Sequence, residues 1–146
     1  MQITSKFTIA VHIIAATDHF KDDVKVTSNF LAGSIGVNPV IVRTVMGCLK
    51  DAGIISISQG KSGIALARAH EKITFYDVYK AVDPLGKEGL FHFHDDPNPQ
   101  CPVGRNIHAA MDDRLHRIQE KMETEMRSIT LAEVTADIEK KIEDEG

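Results

Sequence analysis

The chain has 146 residues, enough for one small domain with a hydrophobic core and an additional interaction helix. Its overall net charge of −4 does not by itself indicate a nucleic-acid partner, and no apolar run is long enough to span a bilayer. Two cysteines stand in a sequence without a signal peptide, so we expect free thiols, a reducing compartment, the cytoplasm, and no membrane partner.

The charge is divided unevenly along the chain. Residues 1–70 hold seven Lys or Arg against four Asp or Glu, whereas the remainder holds ten against seventeen. A mildly basic first half attached to an acidic second half is typical of a DNA-binding head on a solvated body.

Two helices are predicted first. Residues 3–20 are apolar at most positions, which indicates a helix largely surrounded by protein. Thr27 or Ser28 then caps a second helix by offering a hydroxyl oxygen to free backbone N–H groups. Gly36 ends that helix, because the turn needs a residue that tolerates positive φ.

A third helix follows directly, capped by Asn38, with Pro39 in the first turn, where a missing N–H does no harm. The residues that recur at helical spacing and are predicted to face the core are Ile41, Val45, Leu49 and Ala52. The other faces, which carry Arg43, are left for a ligand, and Gly53 stops the helix.

Two short β-rich runs come next, I-I-S-I-S and G-I-A-L-A-R, joined by Q-G-K-S-G. Two helices followed by a hairpin predict a winged helix-turn-helix, which places its second helix in the DNA major groove and its hairpin on the backbone. Lys61 at the tip is a candidate for phosphate or minor-groove contact. The predicted contacts to double-stranded DNA are Ser28, Asn38, Pro39, Val40, Arg43, Thr44, Lys50, Gln59, Lys61 and Ser62.

Another helix begins at Thr74, with Asp77 where a capping box would place Glu or Gln. Its buried stripe is predicted to be Phe75, Val78, Tyr79 and Val82. After it, residues 83–100 form a loop rich in Gly, Pro, His and Asp, without periodicity.

A long amphipathic helix is predicted after Pro102. Its apolar stripe is Ile107, Met111, Leu115, Ile118, Met122, Met126 and Ile129, spaced by three or four residues. A small head domain cannot cover such a stripe, so we expect it to pack against the same helix of a second subunit. The segment T-L-A-E-V-T-A-D-I is predicted as a short helix that could fold back on the dimer, and K-K-I-E-D-E-G as a frayed tail.

The predicted fold is mainly α with a small β-wing: a winged helix-turn-helix plus a long dimerisation helix. We expect a DNA-binding domain at 1–83, a sensor or hinge loop at 84–101, and the dimerisation and C-terminal helices at 102–146.

Several stretches resemble one bacterial family, the Rrf2 transcriptional regulators. They are S-K-F-T-I-A-V-H, V-N-P-V-I-V-R-T-V-M-G-C-L-K-D-A-G-I-I, G-K-S-G-I-A-L-A-R and I-T-F-Y-D-V-Y-K-A-V-D. The family includes the iron–sulfur cluster regulator, the nitric-oxide-sensing repressor and the cysteine-metabolism repressor. The resemblance implies a homodimer with swapped or crossed long helices that binds an imperfect palindrome in promoter DNA.

One departure from the family concerns the cofactor. Cluster-binding members carry three cysteines in the loop before the long helix, whereas here that loop keeps only Cys101. One thiolate cannot hold a cluster that needs three or four protein ligands, so we expect no cofactor and no iron–sulfur cluster. The chain is similar to the cluster-free branch, some of whose members sense oxidants or electrophiles through a cysteine.

Cys101 is predicted at or near the N-cap of the long helix. Unpaired N–H groups and the helix dipole favour a thiolate there, Arg105 would help, and Asp95 and Asp96 oppose it. The thiol is therefore either regulatory, or a structural cap or partly buried thiol at the dimer seam. Cys48, next to the predicted buried stripe, is expected to be inert.

His92 and His94 are candidates for a Zn²⁺ or Cu²⁺ site with Cys101 or His108. The alternative is a polar loop whose imidazoles make ordinary hydrogen bonds, which we favour, so no metal is expected.

The sequence indicates a homodimeric DNA-binding transcriptional regulator that acts as a repressor on a palindromic promoter site. Cys101 is the candidate point of control by a small oxidant or electrophile. Two alternatives stay open: a metal-responsive regulator using His92, His94 and Cys101, and a winged-helix scaffold for protein interactions. No nucleophile–base pair, phosphate-binding glycine loop or paired-carboxylate site supports an enzyme.

Overall fold

A computed structural model describes residues 3–58, 63–83 and 89–146. The predicted fold class is confirmed: helices dominate, with one small antiparallel sheet. The elements are α1 (Ser5–Phe20), α2 (Ser28–Ile35), α3 (Pro39–Asp51), β1 (Ile55–Ile57), β2 (Ile64–Leu66), a 3₁₀ turn (His70–Lys72), α4 (Phe75–Val82), α5 (Pro102–Arg127) and α6 (Leu131–Glu145).

The core is built around α1. Ala10, Ile13 and Ile14 have no exposed surface, and α1 packs against α2, α3, α4, α6 and β2. Thr17 is also buried, and its hydroxyl donates to the Ile13 carbonyl oxygen at 2.7 Å, which satisfies its polar group within the helix. The prediction of a helix surrounded by protein is thereby confirmed, with its start at Ser5 after an N-cap at Thr4.

The turn between α2 and α3 has the predicted capping chemistry. Thr27 Oγ1 accepts from the Phe30 N–H at 3.1 Å, and Gly36 closes α2 with φ of 82°. Asn38 Oδ1 accepts from the Val40 N–H at 2.8 Å, with Pro39 beginning α3. The axis bends by 112° between α2 and α3, which is the geometry of a helix-turn-helix.

The buried face of α3 differs from the prediction. Val45 and Leu49 are buried as expected, but Ile41 is 44 % exposed and Val42 is fully buried in its place. Ala52 is exposed and lies beyond the helix as its C-cap. The prediction for Ile41 was wrong because consecutive apolar residues offer two overlapping helical stripes, and packing in the core selects the one that contains Val42. The prediction for Ala52 was wrong because α3 ends at Asp51.

The wing pairs β1 with β2, with Ile55 opposite Leu66 and Ile57 opposite Ile64. It is joined to the segment before α2, where the Ile64 N–H donates to the Val26 carbonyl oxygen at 3.0 Å. Gly63 has φ of +65° and lies so close to Val26 that a Cβ could not be accommodated. The wing tip, residues 59–62, lies outside the described residues.

The start of α4 is a capping box completed by Asp. Thr74 Oγ1 accepts from the Asp77 N–H at 3.1 Å, and Asp77 accepts from the Thr74 N–H at 3.0 Å. The same carboxylate oxygen lies 3.2 Å from Arg68 Nη1. Of the predicted stripe, Val78 and Tyr79 are buried, whereas Phe75 and Val82 are half-buried.

The last helix returns to the head domain. Leu131 is fully buried in the core and donates its N–H to the Ile73 carbonyl oxygen at 2.8 Å, while Glu139 hydrogen-bonds to His19. The predicted frayed tail was wrong, since α6 continues to Glu145. Leu131 belongs to the core of the head, and α6 packs against α1 and the 3₁₀ turn, whereas Ile138 and Ile142 further along the helix are exposed.

Among the described residues, no single helix has the length and apolar character to cross a membrane, and α2 with α3 meets that requirement only as a bent pair.

Candidate nucleic-acid interface

The outer face of α3 is exposed and carries most of the predicted DNA contacts. Val40 is 59 % exposed, and Arg43, Thr44 and Lys50 are exposed as well. Asn38 is exposed at the start of the helix. Pro39 and Ser28 are half-buried. The other three predicted contacts, Gln59, Lys61 and Ser62, lie outside the described residues.

A groove of about 630 Å³ separates α3 from the wing. Ser28, Arg43 and Lys50 line it together, so residues from both helices of the helix-turn-helix meet at one surface. Ile57 of β1 lines the opposite side. The groove thus has a cationic helical wall and an apolar strand beside it.

Arg43 reaches from α3 toward α2. Its Nη1 atom lies 3.5 Å from the hydroxyl oxygen of Ser28, the first residue of α2. This distance is at the long end of a hydrogen bond, so the guanidinium is oriented over the groove without being held tightly.

Two predicted polar contacts use their side chains within α3. Asn38 caps the helix through the Val40 N–H at 2.8 Å, and the Thr44 hydroxyl donates to the Val40 carbonyl oxygen at 3.0 Å. Asn38 Oδ1 and the Thr44 hydroxyl therefore satisfy backbone groups of the helix, whereas the Arg43 guanidinium, which lies 3.5 Å from the Ser28 hydroxyl oxygen, is well placed to bond to a base.

Lys25 lines the same groove and was not among the predicted contacts. It is exposed two residues before the N-cap Thr27, on the segment that pairs with the wing. The sequence signal for Lys25 as a DNA contact was a basic residue just before the helix-turn-helix. Its place in the same groove as Lys50 depends on the tertiary fold.

Cys101 is the N-cap residue of α5, as predicted, and its thiol is free and half-buried. Its N–H donates to the Asn98 carbonyl oxygen at 3.1 Å. A Cβ on Gly104 would lie 2.6 Å from that same oxygen, so the loop backbone presses directly on the first turn of α5. Arg105 donates to the Pro99 carbonyl oxygen at 3.5 Å.

His108 links the loop to α5. Its Nδ1 lies 3.0 Å from Asp112 Oδ1, and its Nε2 lies 2.9 Å from the carbonyl oxygen of His94. The hydrogen bond with Asp112 raises the pKa of His108, and the His94 carbonyl and the charge of Asp95 act in the same direction. Since both partners are acceptors, the ring can donate to both only as an imidazolium.

The histidine loop does not assemble the metal ligands considered above. Within 3–58, 63–83 and 89–146, no group of three His, Cys, Asp or Glu side chains is arranged to hold a metal ion. His94 and His108 stack with ring centroids 5.0 Å apart, and both ring nitrogens of His108 already have partners.

The sequence profile of the Rrf2 family, described as an iron-dependent transcriptional regulator, matches residues 3–137. The chain belongs to the Rrf2 family. The Bacillus subtilis (strain 168) protein YwnA, named as a candidate HTH-type transcriptional regulator, is 36 % identical over 132 residues, which cover 90 % of this chain and 96 % of YwnA.

Two solved structures have the same fold. A candidate transcriptional regulator from Lactobacillus plantarum superposes with a TM-score of 0.75 at 26 % identity, covering 94 % of this chain and 91 % of that one. CymR, the global cysteine regulator of B. subtilis, gives 0.70 at 16 % identity, covering 93 % of this chain and 97 % of that one. This Rrf2 protein is thus a DNA-binding transcription regulator and not an enzyme.

The iron named for the family does not fit the donor set of this Rrf2 chain. Iron–sulfur clusters need about three or four protein ligands. The described residues provide no such group, and the two cysteines lie in different elements, one in α3 and one at the start of α5.

Proposed function

We propose that this Rrf2 protein is a homodimeric repressor that places α3 of each subunit in the major groove at the two halves of a palindromic promoter site. The observation that carries this proposal is the exposed face of α3 with Arg43 and Lys50, facing the groove beside the wing. A helix in this position presents base-reading side chains, while the hairpin lies along the backbone.

Backbone affinity would come from the cations of that groove. Lys25, Arg43 and Lys50 line it together with one acid, Asp51, so the surface is basic although the chain as a whole is acidic. Each lysine that neutralises a phosphate releases a counterion, which makes the affinity dependent on salt.

Dimerisation is supported by the way α5 is attached to its own chain. The contacts use polar residues of α5: His116 packs edge-on against Phe93, Gln119 accepts from the Leu90 N–H at 2.7 Å, and Arg127 lies 4.0 Å from the Tyr76 ring. His116 and Gln119 are about one helical turn apart and Arg127 lies about two turns further on, so the three side chains lie on one side of the helix.

The apolar stripe of α5 lies on a neighbouring face and is left incompletely covered. Ile118 is 52 % exposed, Leu115 and Met122 are half-buried, and no residue of α5 is fully buried. A helix of 26 residues is about 39 Å long. A second copy of the same helix is the partner that matches this stripe in length and chemistry.

Control by Cys101 is the second part of the proposal. The thiol stands at the first turn of α5, where Gly104 leaves no space between helix and loop. Oxidation or alkylation of the sulfur would add volume there and change the angle at which α5 leaves the loop. DNA affinity would change if the modified dimer favours another spacing of its two heads.

The proposal is tested on a promoter fragment of the protein's own gene. Footprinting should show two protected half-sites. Their centres should lie one turn of the DNA helix apart, about 34–36 Å, or a whole multiple of that distance. Transcription from that promoter in vitro should fall when the protein is added. Protection without a fall in transcription would contradict repression, and protection of a single half-site by a monomer would contradict the dimer.

A further inference from the structure

The first turn of α3 presents two large apolar side chains to solvent. Val40 is 59 % exposed and Ile41 is 44 % exposed. A scattered surface apolar residue needs no explanation. These two are adjacent, directly follow the cap of the helix, and lie on the element that faces DNA in the function proposed above.

The polar groups next to them are already used. Asn38 Oδ1 accepts from the Val40 N–H, and Thr44 Oγ1 donates to the Val40 carbonyl oxygen at 3.0 Å. Thr44 is exposed, and its hydroxyl is bonded to the helix backbone. The methyl group is therefore the branch of the side chain that is available for contact. Val40, Ile41 and Thr44 therefore offer methyl groups, not hydrogen-bonding atoms, to whatever covers them, and Arg43 supplies the donors beside them.

We infer that Val40, Ile41 and the Thr44 methyl group form a thymine-reading surface that contacts the C5-methyl groups of thymines in the major groove. This inference rests on the proposed function, because it assumes that α3 lies in that groove. The thymine methyl is the only apolar group on a base edge there, and apolar side chains are its ordinary partners.

The geometry sets the extent of this reading. Side chains four residues apart on a helix have Cβ atoms about 5–6 Å apart, so Val40 and Thr44 span roughly two base-pair steps of about 3.4 Å each. Arg43 lies between them in sequence and supplies hydrogen-bond donors instead of a methyl group. Each half-site should then combine a hydrogen-bonded base, read by Arg43, with adjacent thymines.

The test removes single methyl groups from the DNA. A half-site is first defined by binding-site selection, and each thymine is then replaced by deoxyuridine, which lacks only the C5-methyl. For the wild-type protein, at least one replacement per half-site should weaken binding about fourfold, the value that corresponds to a buried methyl-sized group of about 0.8 kcal/mol.

The protein variants are Val40→Ala and Ile41→Ala. Each should lose sensitivity to deoxyuridine at the thymine that its side chain contacts. Ile142→Ala is a matched control, because Ile142 is 40 % exposed on α6 and outside the helix-turn-helix, and it should keep the wild-type sensitivity. Circular dichroism should show unchanged helix content, since alanine favours a helix.

The inference fails if the wild-type protein binds its selected site and no deoxyuridine replacement changes the affinity. It also fails if both alanine variants keep the full sensitivity, since the methyl groups are then read elsewhere. A wild-type protein that selects no DNA sequence would instead contradict the proposed function, which separates the two failures.

Discussion

Arg43 bridges the two helices of the helix-turn-helix, with its Nη1 atom 3.5 Å from the Ser28 hydroxyl oxygen. At this long distance the contact orients the end of an exposed side chain over the groove that both residues line, without holding it tightly. A guanidinium that is oriented before binding loses less conformational freedom when it reaches a base. This arrangement makes Arg43 the residue on which sequence preference should depend most.

Arg43→Ala should relax sequence preference at one position of each half-site. Arg matches the O6 and N7 acceptors of guanine with two donors, a contact worth about 1–3 kcal/mol of discrimination. The measurement is binding-site selection with wild type and variant. Arg43→Lys is the control, because it keeps the charge but not the forked geometry, and it should also lose discrimination. An unchanged preference in Arg43→Ala would exclude the assignment.

Lys50→Ala should weaken binding to all sequences about equally. A lost phosphate contact lowers the slope of log affinity against log salt by about one unit. Lys25→Ala should act in the same way, and so should Lys61→Ala on the sequence argument for the wing tip. Lys140→Ala on α6 is the control and should leave the slope unchanged. Sequence-dependent losses would show that these lysines contact bases.

Leu115→Glu should convert the dimer to a monomer and reduce operator affinity. A carboxylate in the centre of the α5 stripe would be buried without a partner, at a cost of several kcal/mol. Sedimentation at micromolar protein measures the change. Thr124→Glu adds the same group at an exposed position of α5 and should remain a dimer. A wild-type monomer at that concentration would contradict the architecture.

The stability contributed by His108 should depend on pH. Its pKa is raised from 6.5 in the folded protein, chiefly by Asp112. The stabilisation by protonated His108 is therefore complete below pH 6.5, the pKa of the unfolded chain. It is lost as the pH rises through the higher pKa of the folded protein. Thermal unfolding of wild type and His108→Gln should differ most in mild acid and converge in mild alkali. A difference that does not vary with pH would show that the imidazolium is not formed.

Cys101 should carry the response to oxidants and electrophiles. Operator affinity is measured for the reduced protein and after mild peroxide or electrophile treatment, in wild type, Cys101→Ser and Cys48→Ser. Loss of binding is expected in wild type and Cys48→Ser and not in Cys101→Ser. Equal loss in wild type and Cys101→Ser would assign the response elsewhere, and no loss in any protein would leave Cys101 as a structural cap.

The helix ends were predictable from sequence because their chemistry is local. Gly36, Asn38 and Pro39 lie where the sequence placed them, and of the two predicted caps of α2, Thr27 and Ser28, the structure has Thr27. The Asp77 capping box was only partly anticipated. Asp is shorter than the usual Glu, and here it also accepts from Arg68, a contact nine residues away that no local pattern shows.

The choice between Ile41 and Val42 could not be made from spacing alone. Both belong to a run of apolar residues, and each precedes Val45 by three or four residues, which is the spacing of one helix face. Packing in the core decides between them, and the core is built from elements that are distant in sequence, such as α1 and α4. The same limit applies to Lys25, whose place beside Lys50 results from folding of the wing.

The packing of α6 also depends on contacts between residues that are distant in sequence. Leu131 is fully buried, but nothing in the local sequence shows which surface covers it. That surface comes from α1 and the 3₁₀ turn of the same chain. The sequence predicted a short helix that could fold back on the dimer, whereas α6 packs against α1 and the 3₁₀ turn of its own chain.

The hydrogen bond from Ile64 to Val26 has a consequence for any signal that reaches the DNA-binding head. It ties the wing to the strand-like segment before α2, and Gly63 allows the two backbones to come close. We expect the base of the wing and the helix-turn-helix to move together, because this backbone contact links the wing to the segment that enters α2. On that expectation, a signal that releases α3 should lift or turn the whole head, so release from DNA should be an all-or-none event for each half-site.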